Sequence, residues 1–353
     1  GQLRVVFNDG EGLEADMVIL SIGVRPNTAL AEQAGIALGR RGIKVNGYMQ
    51  TSVENIYAVG DAVEYPHPLT GEEWLNYLAG PANRQARIAA DNMVSGNHEK
   101  YEGAVGTSIA KVFDTTVAST GLPAKMLRRM NIVYASSTTT SASHAGYYPG
   151  SFNITIKLTF EPKTGKLYGG QCVGHDGVDK RIDQIALVIK HGGTVHDLIE
   201  LEQAYAPPFS SAKDPLAIAG YVAGNIINGS MPVVYWRELK EMDRKEITLV
   251  DVRTPEEFNL GSIDGAVNIP LDDLRERLDE IPADKPVVIF CAVGLRGYLA
   301  LRILKGRGFS NVRNLSGGYH LYSAATQKIR QTSCHCQKGN DTTSAPVMPS
   351  FEV

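Results

Sequence analysis

The sequence predicts a multidomain chain of mixed class, α/β and α+β, and three observations predict it. Its 353 residues exceed what one ordinary core organises, at ~150 residues per domain. Residues 107–228 run through strand-type segments first and helical segments later, the α+β order. Past Gly229-Ser230-Met231-Pro232 the pattern restarts as short apolar strands alternating with helical stretches, the signature of a small parallel sheet.

Leu3 to Phe7 and Met17 to Ser21 are β-rich runs on either side of the polar cluster Asn8-Asp9-Gly10-Glu11-Gly12, so the opening reads as a hairpin. Gly10-x-Gly12-x-x-Ala15 matches a dinucleotide fingerprint in letters only, because a strand follows where a phosphate-binding helix is needed. Thr51 to Ala62 reads as a strand ending in Gly60-Asp61. Ala82, Ala86, Ala89, Ala90 and Met93 recur at helical spacing from Pro81. Ser108–Phe113 and Phe152–Phe160 are strand-type, while Ile182, Ile185, Ala186 and Ile189, then Ala217–Ile227, mark helices. In the last third Ile247–Val252, Val287–Phe290 and Val312–Leu315 read as buried strands, and Leu271, Leu274, Leu278 and Ile281 as a helical stretch. From Gln331 onward Ser, Thr, Asn, Gly and Pro dominate, predicting a disordered tail.

Composition narrows the class of function. With 43% hydrophobic and 21% charged residues the chain is ordinary globular protein. A net charge of -3 offers no general field for phosphate backbones, which argues against nucleic acid as a partner. No apolar run reaches membrane-spanning length, and Gly1-Gln2-Leu3-Arg4 has neither a signal pattern nor an initiating Met, so the expectation is a cytoplasmic protein, with no membrane partner, whose beginning lies upstream. Four cysteines, Cys172, Cys291, Cys334 and Cys336, are too few and too uneven for a disulfide framework, and reduced thiols fit better. No metal site is expected. Cys334-His335-Cys336 could be a redox or metal fragment but lacks further spaced ligands.

Three constellations carry chemistry. Gly-Asp after a strand is often a plain turn, yet a buried Asp61 at a strand's carboxyl end could also accept hydrogen bonds from sugar-like hydroxyls, with Gly60 permitting close approach. With Ser21-Ile22-Gly23-Val24-Arg25-Pro26-Asn27 before it and Leu78-Ala79-Gly80-Pro81-Ala82-Asn83-Arg84-Gln85 after it, this string resembles the pyridine nucleotide-disulfide oxidoreductases, in the branch of coenzyme A disulfide reductases and NADH peroxidases. The resemblance implies FAD and NAD(P)H as cofactors. Asp61 would then bind the flavin ribityl chain, and the helix from Ala79 would face the pyrimidine edge, where its roughly half positive charge would stabilise reduced flavin. It also implies that the flavin and NADH fingerprints and the redox-active cysteine lie upstream of Gly1, so that the chain alone would lack reductase activity.

Gly146-Tyr147-Tyr148-Pro149-Gly150, Gly177-Val178-Asp179-Lys180-Arg181-Ile182-Asp183 and the run from Ala204-Tyr205-Ala206-Pro207-Pro208-Phe209 to Pro215 resemble the dimerisation domain of coenzyme A disulfide reductases. There, two tyrosines reach into the partner's substrate site, and Tyr147 (or Tyr148) and Tyr205 match them. This implies a homodimer, with coenzyme A as substrate or bound thiol. A phenol could stabilise a developing thiolate, although a tyrosine beside prolines is also simply an interface aromatic. Cys172 sits in a strand-type segment and reads as a small buried hydrophobe.

The third constellation is Val287-Val288-Ile289-Phe290-Cys291-Ala292-Val293-Gly294-Leu295-Arg296-Gly297, an apolar strand entering a tight loop before a helix. Such a turn aims successive amides at one spot, which lowers a thiol's pKa and holds an anion; Ala292, Val293, Gly294, Leu295 and Gly297 would form a persulfide cradle with Arg296 beside it. With Asp251-Val252-Arg253, Pro255-Glu256-Glu257-Phe258, Gly261-Ser262-Ile263, Gly265-Ala266-Val267-Asn268-Ile269-Pro270 and Leu315-Ser316-Gly317-Gly318-Tyr319, it resembles the rhodanese sulfurtransferases. Cys291 would be the sulfur-carrying nucleophile, with Asp251 and Arg253 making structural contacts; Ser262 stands where that family usually has His.

The resemblances imply the following layout: residues 1–104, the end of an NAD(P)-binding domain and the carboxyl part of a Rossmann-like FAD domain; 105–229, the dimerisation domain; 232–328, a rhodanese domain; 331–353, the tail. The implied enzyme is an oxidoreductase and flavoprotein, a coenzyme A disulfide, persulfide or polysulfide reductase, fused to a sulfurtransferase. The alternative is a stand-alone sulfurtransferase carried on a dimerisation module.

Overall fold

The computed structural model describes residues 3–327; the tail expectation and Cys334-His335-Cys336 lie outside the described residues. Strands Leu3–Val6 and Gly12–Ala15 pair antiparallel around the Asn8–Glu11 turn, so the letters resembling a dinucleotide fingerprint belong to a hairpin. The second strand is Gly12–Ala15 and not Met17–Ser21. That later run forms no ladder, and Ile19, Leu20 and Ile22 are 81%, 80% and 88% exposed. A strand propensity without a neighbouring strand to supply hydrogen bonds does not make a strand.

A second correction concerns Thr51–Ala62. It holds one isolated bridge, Gln50 to Tyr57, and Gly60–Ala62 is a 3₁₀ turn that precedes the strand Val63–Pro66. Val63–Pro66 pairs with Ile43–Lys44 on one side and Glu73–Trp74 on the other. The helix predicted from Pro81 runs Ala79–Ser95, buries Gln85, Ile88, Ala89 and Asn92, and lies against the 3₁₀ turn.

The central unit is a five-stranded antiparallel sheet in the order Ser108–Val112, Thr115–Gly121, Leu167–Gly174, Asn153–Phe160, Ala135–Ala142. Alternate side chains of Asn153–Phe160 point inward, placing Ile154, Ile156, Leu158 and Phe160 in a core closed by helices Val178–Lys190 and Pro215–Ile227. Apolar residues at 178, 182, 185 and 189 give the first of those helices its buried stripe.

The last unit is a five-stranded parallel sheet, ordered Val233–Val234, Val312–Leu315, Val287–Phe290, Thr248–Asp251, Val267–Asn268. Val287–Phe290 is buried along its whole length, as expected for a strand with both sheet faces covered. The stretch with Leu271, Leu274 and Leu278 is not an α-helix but a series of turns ending in the 3₁₀ turn Leu278–Glu280; the apolar spacing reflects burial of Leu274 and Ile281 under the sheet. The two larger sheets meet at Tyr235, whose hydroxyl accepts from Ser136 N and donates to Ser136 O, both at 3.0 Å. The phenol thereby takes the place of a missing neighbour on the edge strand Ala135–Ala142.

Candidate active site

Cys291 follows the central strand Val287–Phe290 and precedes helix Leu295–Gly306. The backbone turns through Gly294 at φ 126°, and the Gly294 amide donates to Cys291 Sγ at 3.1 Å. The residue is 1% exposed. Two further backbone bonds fix the loop from the opposite side: Tyr319 N donates to Cys291 O at 2.8 Å and His320 N to Ala292 O at 3.0 Å. They are possible because Gly318, at φ 62°, has no side chain; a Cβ there would lie 2.5 Å from Cys291 O and 2.6 Å from Ala292 O. Asn314 Nδ2 donates to Gly294 O at 3.0 Å from the adjacent strand.

Charged side chains form a second ring. Arg296 Nη1 and Nη2 donate to the two carboxylate oxygens of Glu257 at 2.6 and 2.7 Å. Arg296 holds the Glu257 carboxyl down at about 2, and the Arg296 guanidinium is raised in turn, first by Glu257 and to a smaller extent by Cys291. Arg253 is clamped on Asp251, with Nε 3.0 and 3.1 Å from its oxygens and Nη2 at 2.6 Å, and its guanidinium lies 4.2 Å from the Tyr319 ring centre. Ser262, where histidine was the resemblance's expectation, donates to Asp251 Oδ2 at 2.7 Å, so this position completes the Asp251 shell. The His320 imidazole is lowered from its ordinary value, first by burial and then by Arg253, with Arg296 adding to and Glu257 opposing the shift.

Among the sequence-derived candidates, Cys291, Ala292, Val293, Gly294, Leu295, Arg296 and Gly297 lie together in this loop and the first turn of its helix. Glu257, His320 and Gly318 join this site although the sequence predicts no role for them. Thr254-x-x-Glu257 is a capping box opening helix Pro255–Asn259, a signal that fixes Glu257 at a helix start but not its pairing across 39 residues with Arg296.

Tyr147 and Tyr205 are also brought together. Both are exposed, at 78% and 52%, and the neighbouring Tyr205 raises the Tyr147 phenol from its ordinary value. Arg181, 1% exposed, ties their loops: it donates to Asp214 Oδ2 at 2.6 Å, Ser143 O at 2.9 Å and Gly177 O at 3.1 Å, while Ala145 N donates to Ser210 O at 3.0 Å. Tyr148 is edge-on to His144 instead, at 6.0 Å.

Asp61 is exposed, so the picture of a buried carboxylate at a strand end is corrected: it sits in the 3₁₀ turn Gly60–Ala62. Gly60 N donates to Gln85 Oε1 at 2.8 Å, joining this turn to helix Ala79–Ser95. Leu78 provides no side-chain cap, which leaves the helix's first amides free of one, and the space beside Gly80 is open. Cys172 is fully buried in Leu167–Gly174, its thiol pushed up to about 12 by burial.

The fold joins a five-stranded antiparallel unit to a parallel sheet that carries the Cys291 loop, and successive segments match known families. Residues 1–84 match the pyridine nucleotide-disulphide oxidoreductase family, 107–217 its dimerisation domain, and 236–325 the rhodanese-like domain. The chain thus resembles the pyridine nucleotide-disulphide oxidoreductases over its first two matched segments, with a rhodanese-like match after the dimerisation match. It is similar to a solved CoADR-RHD of Bacillus anthracis, 49% identical with TM-score 0.86, covering 91% of this chain and 57% of that one. It is also similar to a NAD-dependent persulfide reductase from A. fulgidus, 38% identical with TM-score 0.82, covering 90% and 58%. Coenzyme A disulfide reductase of Staphylococcus epidermidis is 35% identical over 221 residues, 62% of this chain and 50% of that protein. The chain spans about half the length of the curated relatives it matches.

Proposed function

We propose that the chain serves a flavin-dependent reduction of coenzyme A disulfides, persulfides or polysulfide by NAD(P)H, with the rhodanese domain carrying sulfane sulfur on Cys291. The observation that carries the sulfur half is the Gly294 amide at 3.1 Å from Cys291 Sγ, inside a loop pinned by Tyr319, His320 and Asn314. A hydrogen bond from a fixed amide favours the anionic form of a sulfur that takes or gives a sulfane atom. The attack of the Cys291 thiolate on a donor's sulfane sulfur forms an Sγ–S bond and breaks the donor's S–S bond, whose electron pair leaves on the released thiolate.

The residues present also fit one edge of a flavin. Asp61 would hold ribityl hydroxyls, Gly60 would give the close approach, and the uncapped amides at Ala79 and Gly80 would face an electron-rich ring edge. FAD, when bound, supplies the two-electron relay from nicotinamide to sulfur. Tyr147 and Tyr205, presented as a pair on one exposed surface, would donate to a substrate thiolate across a homodimer built on the dimerisation domain. A cytoplasmic setting suits a chain that depends on reduced thiols.

Intact-mass measurement after treatment with an alkyl persulfide tests the sulfur half. One extra sulfur atom on the wild type, absent from Cys291→Ser, is expected; an extra sulfur retained by the variant overturns it. Flavin absorbance of purified protein tests the other half, with Asp61→Ala expected to lower flavin occupancy, and unchanged occupancy counting against Asp61.

A further inference from the structure

A rhodanese cradle with a free guanidinium would accept a doubly charged donor such as thiosulfate. Here the cationic side chains of the second ring are both engaged. Arg296 gives two short hydrogen bonds to Glu257, and Arg253 gives three to Asp251 and one to Gly261 O at 2.7 Å. His320 is lowered from 6.5 and is therefore largely neutral at pH 7. Two guanidinium groups against two carboxylates leave these side chains with no net charge. An incoming donor meets the Gly294 amide at Cys291 Sγ, suited to one negative charge, Arg296 with its charge already offset by Glu257, and the apolar side chain of Leu295, 67% exposed.

We propose that Glu257 sets donor choice. By holding Arg296 in a two-pronged ion pair it removes the free cation that a dianion requires, so the site takes a monoanionic persulfide with an apolar body in preference to thiosulfate. This rests on Cys291 being the sulfur carrier. Both donors undergo the same balanced step. Cys291 Sγ, as thiolate, attacks the sulfane sulfur, the new Sγ–S bond forms, the donor's S–S bond breaks, and its electron pair leaves on a thiolate from the persulfide or on sulfite from thiosulfate.

The ion pair is well placed for substitution, because Glu257 and Arg296 side chains are each 33% exposed. Glutamine at 257 preserves a capping-box residue for the short helix while removing the charge. A released guanidinium near a bound dianion gains more than near a monoanion, since the interaction scales with the charge product.

The experiment measures kcat/KM for sulfur transfer to cyanide from thiosulfate and from n-propyl persulfide, in wild type, Glu257→Gln, Arg296→Gln and the double variant. The wild type should favour the persulfide. Glu257→Gln should raise the thiosulfate-to-persulfide ratio by at least about tenfold, equivalent to ~1.4 kcal/mol, and make thiosulfate turnover fall with added salt. The gain should vanish when Arg296 is also replaced. An unchanged ratio in Glu257→Gln, a wild type that prefers thiosulfate, or a gain that survives loss of Arg296 overturns the proposal. If Glu257→Gln fails to fold, Glu257→Asp, which shortens the carboxylate out of two-pronged reach, should shift the ratio the same way, and no shift overturns the proposal equally. Loading of Cys291 by neither donor, read by intact mass, would instead sink the sulfurtransferase reading on which it depends.

Discussion

The sulfur loop and the tyrosine pair are built on opposite plans. Cys291 is 1% exposed, and the hydrogen bonds and ion pairs that shape its loop come from residues 251–320, with Val222, Ile226 and Met231 adding only apolar packing to its core. Tyr147 and Tyr205, at 78% and 52% exposure, are held by a buried scaffold but face outward, and Asp61 does likewise. A site enclosed by its own domain can act wherever that domain folds. A site of outward-facing groups acts only against a second surface. Perturbing each part separates these plans.

The largest effect falls on Cys291. Cys291→Ser should abolish sulfur transfer, because a hydroxyl cannot form the persulfide and its alkoxide is inaccessible near neutral pH. Cys172→Ser should leave transfer nearly intact, and native Cys172 should resist alkylation, since burial pushes its thiol up to about 12. Loss of transfer in Cys172→Ser would remove the claim that the enclosed site is self-contained.

Arg181→Gln comes next and strikes the other plan. A buried arginine paired at 2.6 Å to Asp214 is strongly destabilising to break, by about 3–5 kcal/mol, because it leaves Asp214 uncompensated. Thermal unfolding of the central unit should drop sharply, while transfer at Cys291 persists. If transfer falls in step, the two regions are not independent. Gly318→Ala should do less, about 1–3 kcal/mol from a left-handed backbone alone, with added crowding against Cys291 O and Ala292 O. Because that strain acts on the loop itself, persulfide loading should slow more than stability suggests; normal loading would show that the loop tolerates displacement.

How much of this was legible in the sequence follows the same division. Cys291 to Gly297 could be read because strand, loop and helix are contiguous and their roles follow from local geometry. Glu257 and Gly318 act on that loop from 39 and 27 positions away in sequence, through contacts that appear only when the parallel strands are ordered. Arg181 illustrates the same limit, since its four partner residues are spread from Ser143 to Asp214. Met17–Ser21 promises a strand that no neighbouring strand sustains, and Leu271–Ile281 has helical apolar spacing that turns satisfy equally well by burying Leu274 and Ile281.

The smallest effect concerns the acid limb of stability and tests the Glu257–Arg296 pair without reference to any substrate. Arg296 holds the Glu257 carboxyl at about 2 against an ordinary 4.5, so the folded state prefers the ionised form more than the unfolded chain does. Stability from this pair is therefore fully present above pH 4.5 and is lost as pH falls toward 2. With each side chain one-third exposed, solvent screening reduces its worth to about 1 kcal/mol or less. Glu257→Gln should accordingly lower the unfolding free energy by that small amount between pH 5 and 8, leave the difference flat across that range, and bring the two proteins together as the solution is acidified. Calorimetry at a series of pH values checks it. A difference that instead grows on acidification would mean that Glu257 is stabilised as the neutral acid, and that Arg296 is free to serve the sulfur site after all.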